Sequence, residues 1–175
     1  TLKKTIIQDF VQLVREKPQY EQELISTLEN ELGPNGETNE ILGEYLVKND
    51  ESKAYNHYLN RLKNNPTNFD LLKKVIHLEI KQQKFETAFK GTNKALEVYP
   101  TQPFFYYYKG VALRNLNKAN LAADNLEEGL EYLIENKELE MYFYIELVES
   151  YKTLNNPVKV SEYQKKIDVL KNKSN

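Results

Sequence analysis

Residues of the same type recur along this chain at a fixed step of 34 positions. Those that keep the step are Ala54, Ala88 and Ala122, Pro66 and Pro100, and Leu62, Leu96 and Leu130. The chain contains only six prolines, so this agreement in phase is hard to obtain by chance. A period of this length matches one helix–turn–helix unit in repeat proteins. The spacing predicts an array of helical hairpins, an architecture that offers binding surfaces rather than a catalytic centre.

Composition supports a folded chain and argues against several other classes of protein. The 175 residues are 40% hydrophobic and 11% aromatic, which is too apolar for a disordered chain. The formal net charge is −2 and the isoelectric point is about 5.8, whereas a nucleic-acid-binding domain is usually basic. There is no cysteine, so disulfides, thiolate metal sites and cysteine nucleophiles are excluded. No apolar run approaches the ~18 residues of a membrane span.

The source and compartment of the protein are only indirectly indicated. Lysine, asparagine, isoleucine and tyrosine are abundant while only three arginines occur, which is typical of an AT-rich bacterial genome. The sequence begins with Thr1 rather than methionine, so we expect that a leader or an upstream segment was removed. Both an exported, periplasmic location and a cytoplasmic one are compatible with this sequence.

The hydrophobic pattern divides the chain into five hairpins within a single expected domain, 1–175. The predicted repeats are 35–68, 69–102 and 103–136, preceded by a divergent hairpin at 1–34 and followed by 137–172. The last repeat carries four extra residues within Glu135–Glu140, which form either a loop or an extended helix end. In repeat 103–136, small residues at Gly110 and Ala122 are expected to face each other where the two helices pack closely.

Helix boundaries are marked by capping and helix-breaking residues. Asp50 and Asn68 are predicted N-caps, and Pro157 suits the first turn of the last helix. Pro18 and Tyr20 are expected to open the second helix. The strongest breaker is Gly33–Gly36, which we interpret as a turn within the array, with a hinge after a separate N-terminal pair as the alternative.

This pattern resembles the tetratricopeptide repeat family. The recurring alanines, Gly110, Ala95 and the prolines at the repeat ends carry the resemblance, which is good over 35–136, fair over 137–170 and poor over 2–32. The sequence departs from the family pattern where Leu42 and Ile76 replace a small residue. The resemblance implies an all-α, right-handed superhelical solenoid of about five hairpins, with a concave groove that holds a protein or peptide. The lysine–asparagine clamp of some family members is not supported, since only Lys73 matches it.

No residue pattern indicates catalysis, a cofactor or a metal site. His57 and His77 are the only histidines, and neither has a carboxylate at metal-ligand spacing on its own helix. The sequence contains no HExxH motif, glycine-rich phosphate loop or nucleophile elbow. We therefore expect a protein that is not an enzyme and that needs no cofactor.

The most unusual segment is the aromatic run Phe104–Tyr108, flanked by lysine-rich and acidic helices. The resemblance places one face of three successive first helices on the groove wall, where tyrosine and phenylalanine would anchor a partner. The alternative is that these rings only pack against neighbouring helices. The predicted groove residues are Asp70, Lys73, Lys74, His77, Lys81, Phe104, Tyr107, Tyr108, Val111, Arg114, Tyr142, Ile145 and Glu149.

The predicted function is a non-catalytic protein–protein interaction module that docks a peptide or partner helix in this groove. Lysines beside the tyrosines would favour an acidic, aromatic-containing ligand. One alternative is an RNA-binding helical-hairpin repeat, which the acidic isoelectric point and acidic flanks disfavour. Another is a module that forms homo-oligomers through the aromatic face.

Overall fold

The computed structural model describes residues 2–30 and 37–172, and this part of the chain is built from helices. It contains ten α-helices, one 3-10 helix at Pro18–Tyr20 and no β-strand. The predicted all-α fold of helical hairpins is confirmed. The helices are α1 (Leu2–Glu16), α2 (Glu21–Asn30), α3 (Glu37–Asn49), α4 (Glu51–Asn64), α5 (Phe69–Lys81), α6 (Phe85–Val98), α7 (Pro103–Asn115), α8 (Ala119–Glu131), α9 (Lys137–Thr153) and α10 (Pro157–Asn172).

Spatial contacts group these helices into two compact units, Thr1–Pro66 and Thr67–Asn175. The first unit holds α1 to α4 and the second holds α5 to α10. The single domain that the sequence predicts across both units stays a prediction. The predicted turn at Gly33–Gly36 lies outside the described residues.

In the first unit, α3 packs against α1, α2 and α4. Close packing of α3 and α4 depends on Gly43, because a Cβ atom there would overlap the buried ring of Tyr58. The predicted N-cap of α4 is confirmed, since Asp50 Oδ1 accepts hydrogen bonds from the backbone N–H groups of Ser52 and Lys53. Pro18 and Tyr20 do not open α2 as expected, because they form the separate 3-10 turn before it.

In the second unit, successive helices pair into the hairpins α5–α6, α7–α8 and α9–α10, and each hairpin packs against the next. Asn68 caps α5 as predicted, accepting from Leu71 N at 2.9 Å, and Asn136 caps α9 in the same way. Pro157 is the first residue of α10, as expected. This stacking buries the flanks that a lone hairpin would leave exposed.

The turn inside each of these hairpins places one residue in the left-handed region. These residues are Gln83 (φ 57°), Asn117 (φ 59°) and Asn155 (φ 52°). They are separated by 34 and 38 positions, so the turn geometry repeats with the same step as the sequence. Asparagine tolerates this conformation better than most residues do, whereas glutamine has no such preference.

The four extra residues of the last repeat lengthen a helix rather than a loop. α9 has 17 residues, whereas α5 and α7 have 13 each. Residues 141–153 of α9 correspond to 103–115 of α7 at a step of 38, so the addition is an extra turn at the start of α9.

Packing between α7 and α8 is close at Gly110. The atoms nearest to this glycine belong to the Leu126 side chain, which a Cβ atom at position 110 would overlap. The expected approach of Gly110 to Ala122 stays a prediction. The expectation that Phe105 packs between repeats is confirmed. Its ring is fully buried, with its centroid 5.5 Å from that of Phe69 and 6.1 Å from that of Tyr99.

Candidate functional site

The predicted groove residues lie on α5, α7 and α9, the first helices of three consecutive hairpins. Both α5 and α9 contact α7 directly, so the three helices form one continuous surface within the second unit. We call the surface made by the predicted residues the aromatic face. It comprises Asp70, Lys73, Lys74, His77 and Lys81 of α5, Phe104, Tyr107, Tyr108, Val111 and Arg114 of α7, and Tyr142, Ile145 and Glu149 of α9.

Two side-chain contacts join α5 to α7 on this face. The Lys73 Nζ atom lies 3.7 Å from the centroid of the half-buried Phe104 ring, a cation–π contact. The Tyr108 hydroxyl lies 3.2 Å from His77 Nδ1, within hydrogen-bonding distance. Contacts of the first kind contribute about 0.5–1 kcal/mol where they are accessible to water. They hold Phe104 in place while leaving part of its surface available.

Tyr107 connects α7 to α9. Its ring centroid lies 6.0 Å from that of Tyr142 and 5.8 Å from that of Phe143, and its side chain is half-buried. Burial, with the negative charge of Glu146 nearby, raises the pKa of Tyr107 to about 12. The hydroxyl therefore stays protonated at neutral pH and can donate a hydrogen bond to a ligand.

Two predicted groove residues are not available as exposed anchors. Tyr108 is only 8% exposed and Val111 only 7%, because α7 sits between α5 and α9 and both side chains pack into these contacts. Burial raises the pKa of Tyr108 to about 12. For these two residues the packing alternative is correct. The accessible apolar area of the face comes from Phe104, Tyr107 and the more exposed Tyr142 and Ile145.

Arg114 is engaged by a partner that sequence reasoning did not identify. Its Nε atom donates to Glu146 Oε2 at 2.7 Å, and the two side chains are 29% and 14% exposed. The only signal was an arginine and a glutamate on corresponding helices of successive repeats, which is weak without a structure. The pair ties α7 to α9 and limits how far Arg114 can orient a ligand.

Charge is graded across the aromatic face. The α5 edge carries Lys73, Lys74 and Lys81, with Asp70 at its start. The α9 edge is acidic: Glu138 accepts from the Tyr142 hydroxyl at 3.0 Å, and Glu149 pairs with Lys152 at 2.7 Å. The face therefore runs from a basic edge, through aromatic rings, to an acidic edge.

A second cluster, which the sequence did not reveal, joins the last three helices. Glu127 Oε1 on α8 accepts from the Tyr151 hydroxyl (2.8 Å), the Tyr163 hydroxyl (2.7 Å) and Lys159 Nζ (3.0 Å). The two tyrosine rings are stacked with their planes 7° apart. Burial alone would raise the pKa of Glu127, but the three donors outweigh it and hold that pKa below its usual value.

The described residues contain neither a metal-binding cluster nor a membrane-spanning helix. Within residues 2–30 and 37–172, no three histidine, aspartate or glutamate side chains converge as a metal-binding group. None of the described helices combines the length and the apolar character needed to cross a lipid bilayer.

Stacked antiparallel helix pairs with a repeating turn define a protein of α-helical hairpin repeats. A family model described as the TT21 fifth ARM repeats domain matches residues 41–131, just over half of the chain. The chain belongs to this family of helical-repeat domains, and the predicted assignment to tetratricopeptide-type helical repeats is confirmed. No curated protein sequence matches the chain significantly.

Solved structures with a similar fold include those of MamA, a tetratricopeptide-repeat protein. MamA of strain MSR-1 is 19% identical, with a TM-score of 0.70 and coverage of 100% of both chains. MamA from residue 41 onward of Desulfovibrio magneticus RS-1 is 14% identical, with a TM-score of 0.75 and coverage of 97% of this chain and 95% of that one. At these identities the likeness shows the fold, and the predicted α-helical solenoid class is confirmed.

Proposed function

We propose that this protein is a non-catalytic interaction module that binds an extended peptide or a partner helix on the aromatic face. One observation carries the proposal. Phe104, Tyr107 and Tyr142 come from two neighbouring helices, contact one another or the lysine-rich helix α5, and keep part of their surface accessible. Aromatic rings provide a large contact area at a low cost in conformational entropy, which suits the anchoring of a partner.

The graded charge of the face supports a particular ligand chemistry. Acidic groups of the ligand are favoured beside Lys73 on α5, and basic groups beside Glu149 on α9. Such complementarity mainly fixes the direction in which a ligand lies and accelerates its association. Membership of a helical-repeat family is consistent with a binding role, because such arrays present extended surfaces to partners.

A selected peptide tests the proposal. Peptides would be selected from a displayed library against the full chain, and the affinity of one of them would be measured by fluorescence anisotropy. Replacement of Tyr142 by alanine should weaken binding at least tenfold, which corresponds to about 1.4 kcal/mol. The Tyr142 side chain is 43% exposed, so its truncation leaves the core intact.

Leu121→Ala is the matched control. Leu121 lies on α8, outside the aromatic face, and is 56% exposed. Its truncation should leave the affinity within twofold of the unmodified chain. If Leu121→Ala abolishes peptide binding and Tyr142→Ala does not, the binding surface lies outside the aromatic face.

A further inference from the structure

A second candidate surface lies at the turn between α9 and α10. This α9–α10 cleft has a volume of about 670 Å³. Tyr151, Pro157 and Val160 contribute its apolar floor, and two lysines, Lys152 and Lys165, stand on its rim. The other lining residues are Asn155, Asn156, Ser161 and Gln164. The cleft is open to solvent and combines an apolar floor with two positive charges.

The preceding hairpin forms an equivalent cleft, in register with this one and one repeat earlier in the chain. The turn residues Asn117 and Asn155 share the left-handed conformation, and α8 and α10 each begin two residues later. In the α7–α8 hairpin the equivalent cleft is filled by α9, which packs against both α7 and α8. The equivalent position of the preceding hairpin therefore accommodates an α-helix, which lies against both helices of that hairpin.

Two polar contacts secure α9 in the cleft it fills. Arg114 donates to Glu146 from the α7 side, and Glu127 accepts from Tyr151 on the α8 side. Glu146 and Tyr151 are five positions apart on α9, so they project toward different walls of the cleft. A helix that lies in this position therefore meets a charged side chain at two places, which are position 114 on the first helix of the hairpin and position 127 on the second.

In the α9–α10 cleft the residues equivalent to Arg114 and Glu127 are both lysines. Lys152 is equivalent to Arg114, so the positive charge is retained. Lys165 is equivalent to Glu127, so a negative charge is replaced by a positive one. Lys152 is paired with Glu149 on its own helix, but the two side chains are 56% and 46% exposed, and an exposed pair of this kind is easily exchanged.

The floor of the α9–α10 cleft is also more polar than its counterpart. Ser161 replaces Ala123, and Gln164 replaces the fully buried Leu126. Because less apolar area is offered, a helix bound there gains less from burial than α9 gains in its own position. This balance fits an occupant that binds reversibly.

We propose that the α9–α10 cleft binds an amphipathic α-helix of a partner protein that carries two acidic residues five positions apart. One carboxylate pairs with Lys152 and the other with Lys165, while the apolar side of the helix covers Tyr151 and Val160. The cleft adjoins the aromatic face at the Lys152–Glu149 pair, but this proposal does not depend on the function proposed for that face.

The α9 sequence supplies a probe for this proposal. The probe is a fluorescein-labelled peptide with the sequence of Lys137–Thr153 and the substitution Tyr151→Glu, capped at both ends. A hydrocarbon staple on its solvent side is included because a peptide of this length is only marginally helical in water. Titrated with the full chain at low salt, the peptide should bind saturably. The double variant Lys152→Glu/Lys165→Glu should bind it at least tenfold more weakly.

Charge-swapped and matched variants decide the outcome. A peptide with Glu146→Lys and Tyr151→Lys should regain affinity for the Lys152→Glu/Lys165→Glu chain. The control Lys94→Glu/Lys171→Glu changes two exposed lysines outside the cleft and should bind the first peptide within about twofold of the unmodified chain. The proposal would be overturned if Lys94→Glu/Lys171→Glu weakened peptide binding as much as Lys152→Glu/Lys165→Glu does. It would also be overturned if the peptide showed no saturable binding at millimolar concentrations of the chain. Self-association of the chain that disappears only in Lys152→Glu/Lys165→Glu would also overturn it, since the occupant would then be a second copy.

Discussion

The Glu127 cluster permits a quantitative prediction about stability. Replacement of Glu127 by glutamine removes the charge that three donors share, while leaving a neutral acceptor of nearly the same shape. Hydrogen bonds to charged groups contribute about 1.5–3 kcal/mol when buried, but the Glu127 side chain is 33% exposed, which reduces this value. The ion pair with Lys159 adds only about 0.5 kcal/mol, because both side chains reach solvent. The expected loss in free energy of unfolding is about 2 kcal/mol.

The effect should depend on pH in a defined direction. The pKa of Glu127 is held below its usual value in the folded protein, so its stabilising contribution is fully present above the pKa of an unfolded glutamate. That contribution is lost as the pH falls through the lower pKa of the folded state. The difference between Glu127→Gln and the unmodified chain should therefore be largest at neutral pH and shrink at acidic pH.

Urea denaturation followed by circular dichroism measures this difference. Glu131→Gln is the matched control, because Glu131 is an exposed glutamate on the same helix and its replacement removes the same charge. It should change the free energy of unfolding by less than about 0.5 kcal/mol. If Glu127→Gln loses no more stability than this control, or if the difference grows as the pH falls, the three hydrogen bonds to the Glu127 carboxylate do not stabilise the fold.

Three further substitutions test the packing, each read from its urea midpoint. Gly110→Ala should destabilise the protein by about 1–3 kcal/mol, because the added Cβ atom overlaps the buried Leu126 side chain. An unchanged midpoint would mean that α7 and α8 can move apart at little cost in free energy. Gln83→Gly should stabilise it by about 0.5–1 kcal/mol, because glycine relieves the left-handed conformation at φ 57°; a loss would show that the glutamine side chain matters more than the backbone. Tyr108→Ala should cost about 3 kcal/mol, because its ring is buried; an unchanged midpoint would contradict that burial.

Much of the helical framework could be predicted from the sequence because the relevant forces are local. A proline such as Pro157 can begin a helix but cannot continue one. The side-chain oxygen of Asn68 caps the helix that follows it by accepting a hydrogen bond from Leu71 N. The regular repeat step then aligns successive hairpins, and the insertion in the last repeat leaves only a choice between a loop and a longer helix. The structure shows the longer helix, α9.

The details of the face depended on distances between helices, which periodicity does not specify. Tyr107 and Tyr108 are adjacent in sequence and both are predicted on the same face, yet Tyr107 is half-buried whereas Tyr108 is buried. Sequence spacing gives the direction in which a side chain projects from its helix, but not how closely the neighbouring helix approaches it. The Glu127 cluster was invisible for a related reason, because its tyrosine partners lie on two other helices, far along the chain.

The most direct test of the proposed binding surface is a chemical-shift map of the full chain with the selected peptide. If the aromatic face binds the peptide, the largest shifts on binding should cluster at Lys73, Phe104, Tyr107 and Tyr142, on α5, α7 and α9. The shifts of Leu121, an exposed residue on α8, should change little. Shifts centred on α6 and α8, with the aromatic face unchanged, would show that the peptide binds elsewhere.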